Sequence, residues 1–133
     1  MKKTTFLFAI GLLFIVLTSF NSSNNTDWGP WQTSSCYKGL DFCVKKNEYN
    51  QYAKKHNWSI KFRNRYNEKV SFGFVLKESN VNSAKGTHRV TVQANSEGSG
   101  TYFLVADANS VRAFIDQLRF GDDWGTNHAP CDN

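Results

Sequence analysis

The sequence predicts an all-β domain of six to seven short antiparallel strands packed as two sheets. Two observations carry this. Apolar side chains recur at every second position through most of the chain, and no window longer than about ten residues carries an apolar stripe at helical spacing. The alternating segments are separated by Gly, Asn, Asp and Ser, residues that turn a chain. Each segment offers one apolar row, so two sheets can bury those rows against each other and leave charged rows outside.

The first strand is read over Gly39 to Lys45, with Leu40, Phe42 and Val44 on one face and Asp41, Cys43 and Lys45 on the other. The second, Trp58 to Tyr66, alternates Trp58, Ile60 and Phe62 with Lys61, Arg63 and Arg65. On a half-buried strand the row opposite the apolar one faces water, so the three bases read as a solvated row, with acids on neighbouring strands available to neutralise them. The third strand, Lys69 to Glu78, presents Val70, Phe72, Phe74 and Leu76. The fourth, Thr87 to Ala94, presents His88, Val90, Val92 and Ala94, followed by Thr101 to Ala106 and Val111 to Phe120. Asn67 and Glu68 form a two-residue connection of the kind that closes a tight hairpin between the second and third strands. The run Asn95 to Gly100 suits a hairpin loop between the fourth and fifth. The resulting pattern is that of a β-sandwich of immunoglobulin or fibronectin type III character. That likeness is one of fold alone and implies no function.

The ends bound the location. Lys2 and Lys3 precede an apolar run from Phe6 to Leu17, the arrangement of a secretory signal peptide, assigned to residues 1–23. That run is shorter than the roughly 20 apolar residues of a membrane-spanning helix, so no stable span is expected after its removal. Residues 24–27 read as a short polar linker and 28–133 as one domain with a modest core. Beyond Lys3 the chain holds 14 basic and 11 acidic side chains, a net +3. This is too mild for a nucleic-acid binder, which concentrates basic side chains on one face.

Three cysteines in a chain bound for an oxidising compartment leave one unpaired. Cys43 sits within a strand, whereas Cys36 and Cys131 lie in loop-like segments at the two ends of the domain, so the expected bridge is Cys36 to Cys131 with Cys43 as a free thiol. A local Cys36 to Cys43 bridge is the alternative, because spacing does not determine connectivity.

No catalytic signature is present. His56, His88 and His128 have no nucleophile in a recognisable local pattern, and the acids are scattered singly. The tail GDDWGTNHAPCDN gathers oxygen ligands but fits neither a calcium loop nor a zinc site, so no metal and no other cofactor is expected. The aromatic residues are the better clue. Trp28, Trp31 and Trp124 would be drawn by the expected disulfide toward one pole, either closing the core or forming a stacking platform. The connection NEYNQYAKKH, residues 47–56, reads as the longest insertion between strands and carries Tyr49, Tyr52, Lys54 and Lys55. It is either a binding loop or one helical turn laid against the sheets. The function expected from these features is that of an exported, non-catalytic binding or interaction module for a surface glycan or another extracellular protein. A structural envelope component is the alternative, ahead of a small metal-dependent or hydrolytic enzyme. Non-reducing peptide mapping of the oxidised mature protein is expected to recover Cys36 linked to Cys131 and Cys43 unlinked; Cys43 in the linked peptide would reverse the assignment.

Overall fold

A computed structural model of the chain describes residues 28–98, 101–106, 109–121 and 127–132. These form strands β1 (Gln32–Thr33), β2 (Leu40–Asn50), β3 (Lys55–Asn64), β4 (Val70–Glu78), β5 (His88–Val92), β6 (Ser96–Glu97), β7 (Thr101–Ala106) and β8 (Val111–Phe120), with no helix among the described residues. One sheet runs β1-β2-β3, and the far edge of β3 is shared by β6 and β7. The other runs β5-β4-β8. Every pairing between described strands is antiparallel.

The alternation read from the sequence lines one core between the sheets. Leu40, Phe42, Trp58, Ile60 and Phe62 of the first sheet meet Val70, Phe72, Phe74, Leu76, Val92 and Leu118 of the second. At the centre the Phe62 ring packs edge-to-face on Phe72 and Phe74, with centroids 4.9 and 4.8 Å apart. Such geometry adds roughly 0.5 to 1.5 kcal/mol per pair beyond the apolar area buried.

Both expected hairpins are overturned by the pairing. β3 and β4 do not pair; residues 65–69 carry the chain from one sheet to the other. The cause is Asn64, which is fully buried at the end of β3. Its Nδ2 donates to the carbonyls of Glu68 (2.7 Å) and Gln93 (3.0 Å), with Val92 O at 3.2 Å, and its Oδ1 accepts from Tyr66 N (2.9 Å). One side-chain amide thus takes up backbone groups that a crossing chain leaves without ladder partners. The second expected hairpin also crosses: β5 lies in the β4 sheet, while β6 and β7 both pair with β3. Asn95, at φ 51°, turns the chain there and donates its N–H to Tyr66 O, and Gly98 N donates to Phe62 O at 2.7 Å.

Residues 47–56 are not an insertion. They are the end of a long β2–β3 hairpin whose ladder runs out to Asn50 and Lys55, past a bulge between Lys46 and Tyr49. The tip closes because Asn50 Oδ1 accepts from Tyr52 N (3.0 Å) and Ala53 N (2.9 Å), and Lys54 adopts φ 52°. The helical-turn alternative is excluded.

At the opposite end the sulfurs of Cys36 and Cys131 are 1.94 Å apart, as expected, and Cys43 is free and buried. The C-terminal segment is further tied by Asp132 N to Cys36 O (2.8 Å) and Ala129 N to Leu118 O (2.8 Å). Asp132 Oδ2 accepts from Lys38 N (2.8 Å) and from the Tyr66 hydroxyl (2.5 Å). This described acid of the tail is therefore a backbone tie; Asp122, Asp123 and Trp124 lie outside the described residues, as does the expected signal peptide. The Tyr66 bond holds the Asp132 carboxyl below its ordinary range, and burial, helped by that same bond, pushes the Tyr66 phenol up to about 12.

In denaturant titrations Phe62→Ala is expected to cost about 3 to 5 kcal/mol as a core aromatic, against about 1 kcal/mol or less for Lys61→Ala on the outer row. Equal losses would reverse the assigned faces of β3. The raised Tyr66 value means the fold favours the neutral phenol. Its contribution is fully present below the ordinary value of 10 and is lost as pH climbs from there to about 12. The alkaline fall in stability over that window is expected to shrink in Tyr66→Phe, and an unchanged fall would contradict the tie.

Candidate binding surfaces

The outer face of the β2–β3 sheet carries the Lys61, Arg63 and Arg65 row, with Asp41 and Cys43 beside it in register. The row faces away from the core, and neighbouring strands supply acids. Arg63 donates to Glu97 Oε1 through Nε (3.1 Å) and an amino nitrogen (2.9 Å). Arg65 pairs with the largely buried Asp41 at 2.8 Å, and Thr33 Oγ1 also donates to that carboxylate. What the sequence did not reveal is a cover. The segment before β1 continues along the edge of β2, with Gly29 N donating to Val44 O at 2.8 Å. Pro30, which has no N–H, sits in this edge segment, one of the places a sheet tolerates it. The segment lays Trp28 over Lys61, 4.4 Å from its Nζ to the ring centroid, and Trp31 over the Arg63 guanidinium at 4.0 Å.

Trp28 and Trp31 therefore lie on the outer face of a sheet and not at the disulfide pole. The reason is that the chain folds back beside β2 before reaching Cys36, and a strand as short as Gln32–Thr33 leaves no alternation to read. Between the indoles is a recess of about 280 Å³ lined by Trp28, Trp31, Cys43, Lys61 and Glu97. Cys43, 2% exposed, points away from the core as expected, yet is buried under this cover. Burial pushes its thiol up, more than the nearby Lys61 and Arg63 draw it down. A nucleophilic cysteine needs the opposite arrangement, a depressed value and access.

The second surface is the end of the hairpin. Tyr52 is 101% exposed and Tyr49 47%. They line a recess of about 320 Å³ with Glu48, Asn50, Gln51 and Asn57. His56 packs edge-on against Tyr49, with ring centroids 5.0 Å apart, and its Nδ1 lies 3.4 Å from Asn47 O. The Tyr49 ring is thus oriented although half exposed. Lys54 and Lys55 are exposed beside the tip, and Lys46 reaches back over Trp58 at 5.9 Å. On β7, Leu104 is 49% exposed opposite Asn57. Sequence reading found Tyr49, Tyr52, Lys54 and Lys55 here but missed Glu48, Gln51, Asn57 and Leu104. Extending the two strands to residues 50 and 55 would have placed the first three beside the tyrosines.

A third recess, about 410 Å³, opens where β1 and β8 leave one side of the sheets apart, with Thr33, Ser35, Phe42, Arg112 and Phe114 in its lining. Among the described residues no three His, Cys, Asp or Glu side chains come together as a metal-ion ligand set. His88 packs its ring on Phe103 at 4.5 Å, at the margin of the core.

Comparison with family models, with curated proteins and with solved structures finds no match to this chain. The folded protein is expected to resist alkylation of Cys43 by iodoacetamide, and Trp31→Ala to raise the alkylation rate by about tenfold or more by opening the cover locally. Rapid labelling of the unmodified protein would contradict the burial.

Proposed function

We propose that this is a small exported, non-catalytic binding module that holds its ligand, a surface glycan or another extracellular protein, at the end of the β2–β3 hairpin. The observation that carries the reading is the Tyr52 ring, which makes no packing contribution and stands fully in solvent beside Tyr49 over a polar recess. Rigid rings with few rotatable bonds supply contact area at small entropic cost, which is why Tyr is favoured at binding surfaces. Lys54 and Lys55 add attraction for anionic partners. The disulfide between Cys36 and Cys131 supports an oxidising compartment. The domain shares with immunoglobulin and fibronectin type III modules two packed antiparallel sheets and loops gathered at the ends. Its strand order is its own: β2, β3 and β7 share a sheet opposite β4, β5 and β8, whereas immunoglobulin sheets combine the first, second, fourth and fifth strands against the third, sixth and seventh.

Trp28 and Trp31 are the weaker candidates, since each already stacks on a cation of its own sheet. A screen of the mature domain against glycans and purified extracellular proteins tests the reading. A ligand is expected whose affinity falls about tenfold or more in Tyr52→Ala or Tyr49→Ala, while stability stays within about 0.5 kcal/mol for the exposed Tyr52. Binding that ignores both substitutions would remove the hairpin from the site, and a screen without any ligand would favour a structural envelope role.

A further inference from the structure

Resting on the hairpin reading, we infer that the ligand is an acidic polysaccharide, bound as a polymer along the outer part of the β2–β3 hairpin. The net charge of the domain lies on this hairpin. Residues 45–58 hold Lys45, Lys46, Lys54 and Lys55 against Glu48, a net +3 equal to that of the whole chain beyond Lys3. The remainder of the domain is thus neutral overall. Within the sheet Lys61 lies under Trp28, Arg63 pairs with Glu97 and Arg65 with Asp41, while on the hairpin Lys46 lies over Trp58 and Lys54 and Lys55 are exposed. A positive potential concentrated at one end of the sheet draws a polyanion to that end.

The recess has the chemistry of a sugar site. Tyr49 and Tyr52 offer flat faces for sugar rings, and Gln51, Asn57 and Glu48 offer both donors and acceptors, as a ring of hydroxyls requires. A lipid surface asks for a different composition, an apolar face bordered by cations. A recess of about 320 Å³ lies at the small end of ligand sites and does not by itself hold a small molecule tightly. The lysines extend the contact: Lys46 stands four residues up the strand from Asn50, roughly 13 Å from the tip. A chain bearing a carboxylate or sulfate on successive sugars meets Lys54 and Lys55 at the tip and Lys46 further along, and repetition supplies what one ring does not.

The test uses the mature domain with four probes: polygalacturonate, uncharged dextran, polyglutamate, and phosphatidylglycerol vesicles. The expected result is binding of polygalacturonate that exceeds dextran about tenfold or more, and weakens by a similar factor between 50 and 300 mM salt. Tyr52→Ala and the pair Lys54→Gln with Lys55→Gln are each expected to reduce it, with circular dichroism unchanged. Equal, Tyr52-dependent binding of dextran overturns the acidic ligand and leaves the hairpin site standing. Equal binding of polyglutamate, insensitive to Tyr52→Ala, reduces the effect to charge and overturns the sugar. Preferential capture of vesicles replaces the polysaccharide with a lipid surface. Absence of polygalacturonate binding overturns the inference, while the hairpin reading then stands or falls with the wider screen.

Discussion

The edge-to-face packing of Phe62 on Phe72 and Phe74 is the contact on which the rest of the structure depends. It joins the two sheets through β3, the strand that also pairs with β2, β6 and β7. The side-chain period of a strand is two, so a slip of one residue in β3 would bring Arg63 inward and send Phe62 to solvent. The basic row is in this sense a consequence of the aromatic one: with Trp58, Ile60 and Phe62 buried, Lys61, Arg63 and Arg65 must lie on the far face. Asn64 then ends the strand by drawing backbone groups from residues 68, 92 and 93 onto one amide, which commits β4 to the second sheet.

The inner rows and the disulfide were legible in the sequence, and the strand pairing was not. Alternation placed the inner rows of β2, β3 and β4, and the loop-like settings of Cys36 and Cys131 pointed to their bridge. The hairpins failed because two-residue spacing reports that a turn is short, not which sheet the chain enters after it. The partners that decide this for Asn64 lie up to 29 positions away. Tyr49 and Tyr52 stood out as aromatics between strands, but the bulge after Lys46 breaks the alternation that would have shown β2 continuing beneath them. Trp28 and Trp31 were misplaced for the same kind of reason. Their position follows from pairing with the edge of β2, and their partners Lys61 and Arg63 lie some thirty residues downstream.

The aromatic residues divide accordingly by what they already touch. Trp58, Phe42, Phe62, Phe72, Phe74 and Phe103 are closed in the core, and Trp28 and Trp31 are each stacked on a cation. Tyr66 is tied to Asp132 at the disulfide end. Tyr49 and Tyr52 are exposed, as is Phe120, and stand at the end of a ladder whose cations are also outside the core. β3 thus differs along its length: residues 58–64 carry Trp58, Ile60 and Phe62 into the core, and residues 55–57 form the outer end of the ladder between β2 and β7.

Native-state amide hydrogen exchange tests that division most directly, because it measures the opening free energy of each backbone group. Amides of Ile60, Phe62, Phe72 and Phe74 are expected to exchange only through global unfolding. Those of residues 47–50 and 55–57 are expected to exchange through a separate, lower-energy opening that Tyr52→Ala leaves unchanged. Equal protection from residue 47 through Phe62 would contradict the account, because it would make the hairpin end part of the core's cooperative unit.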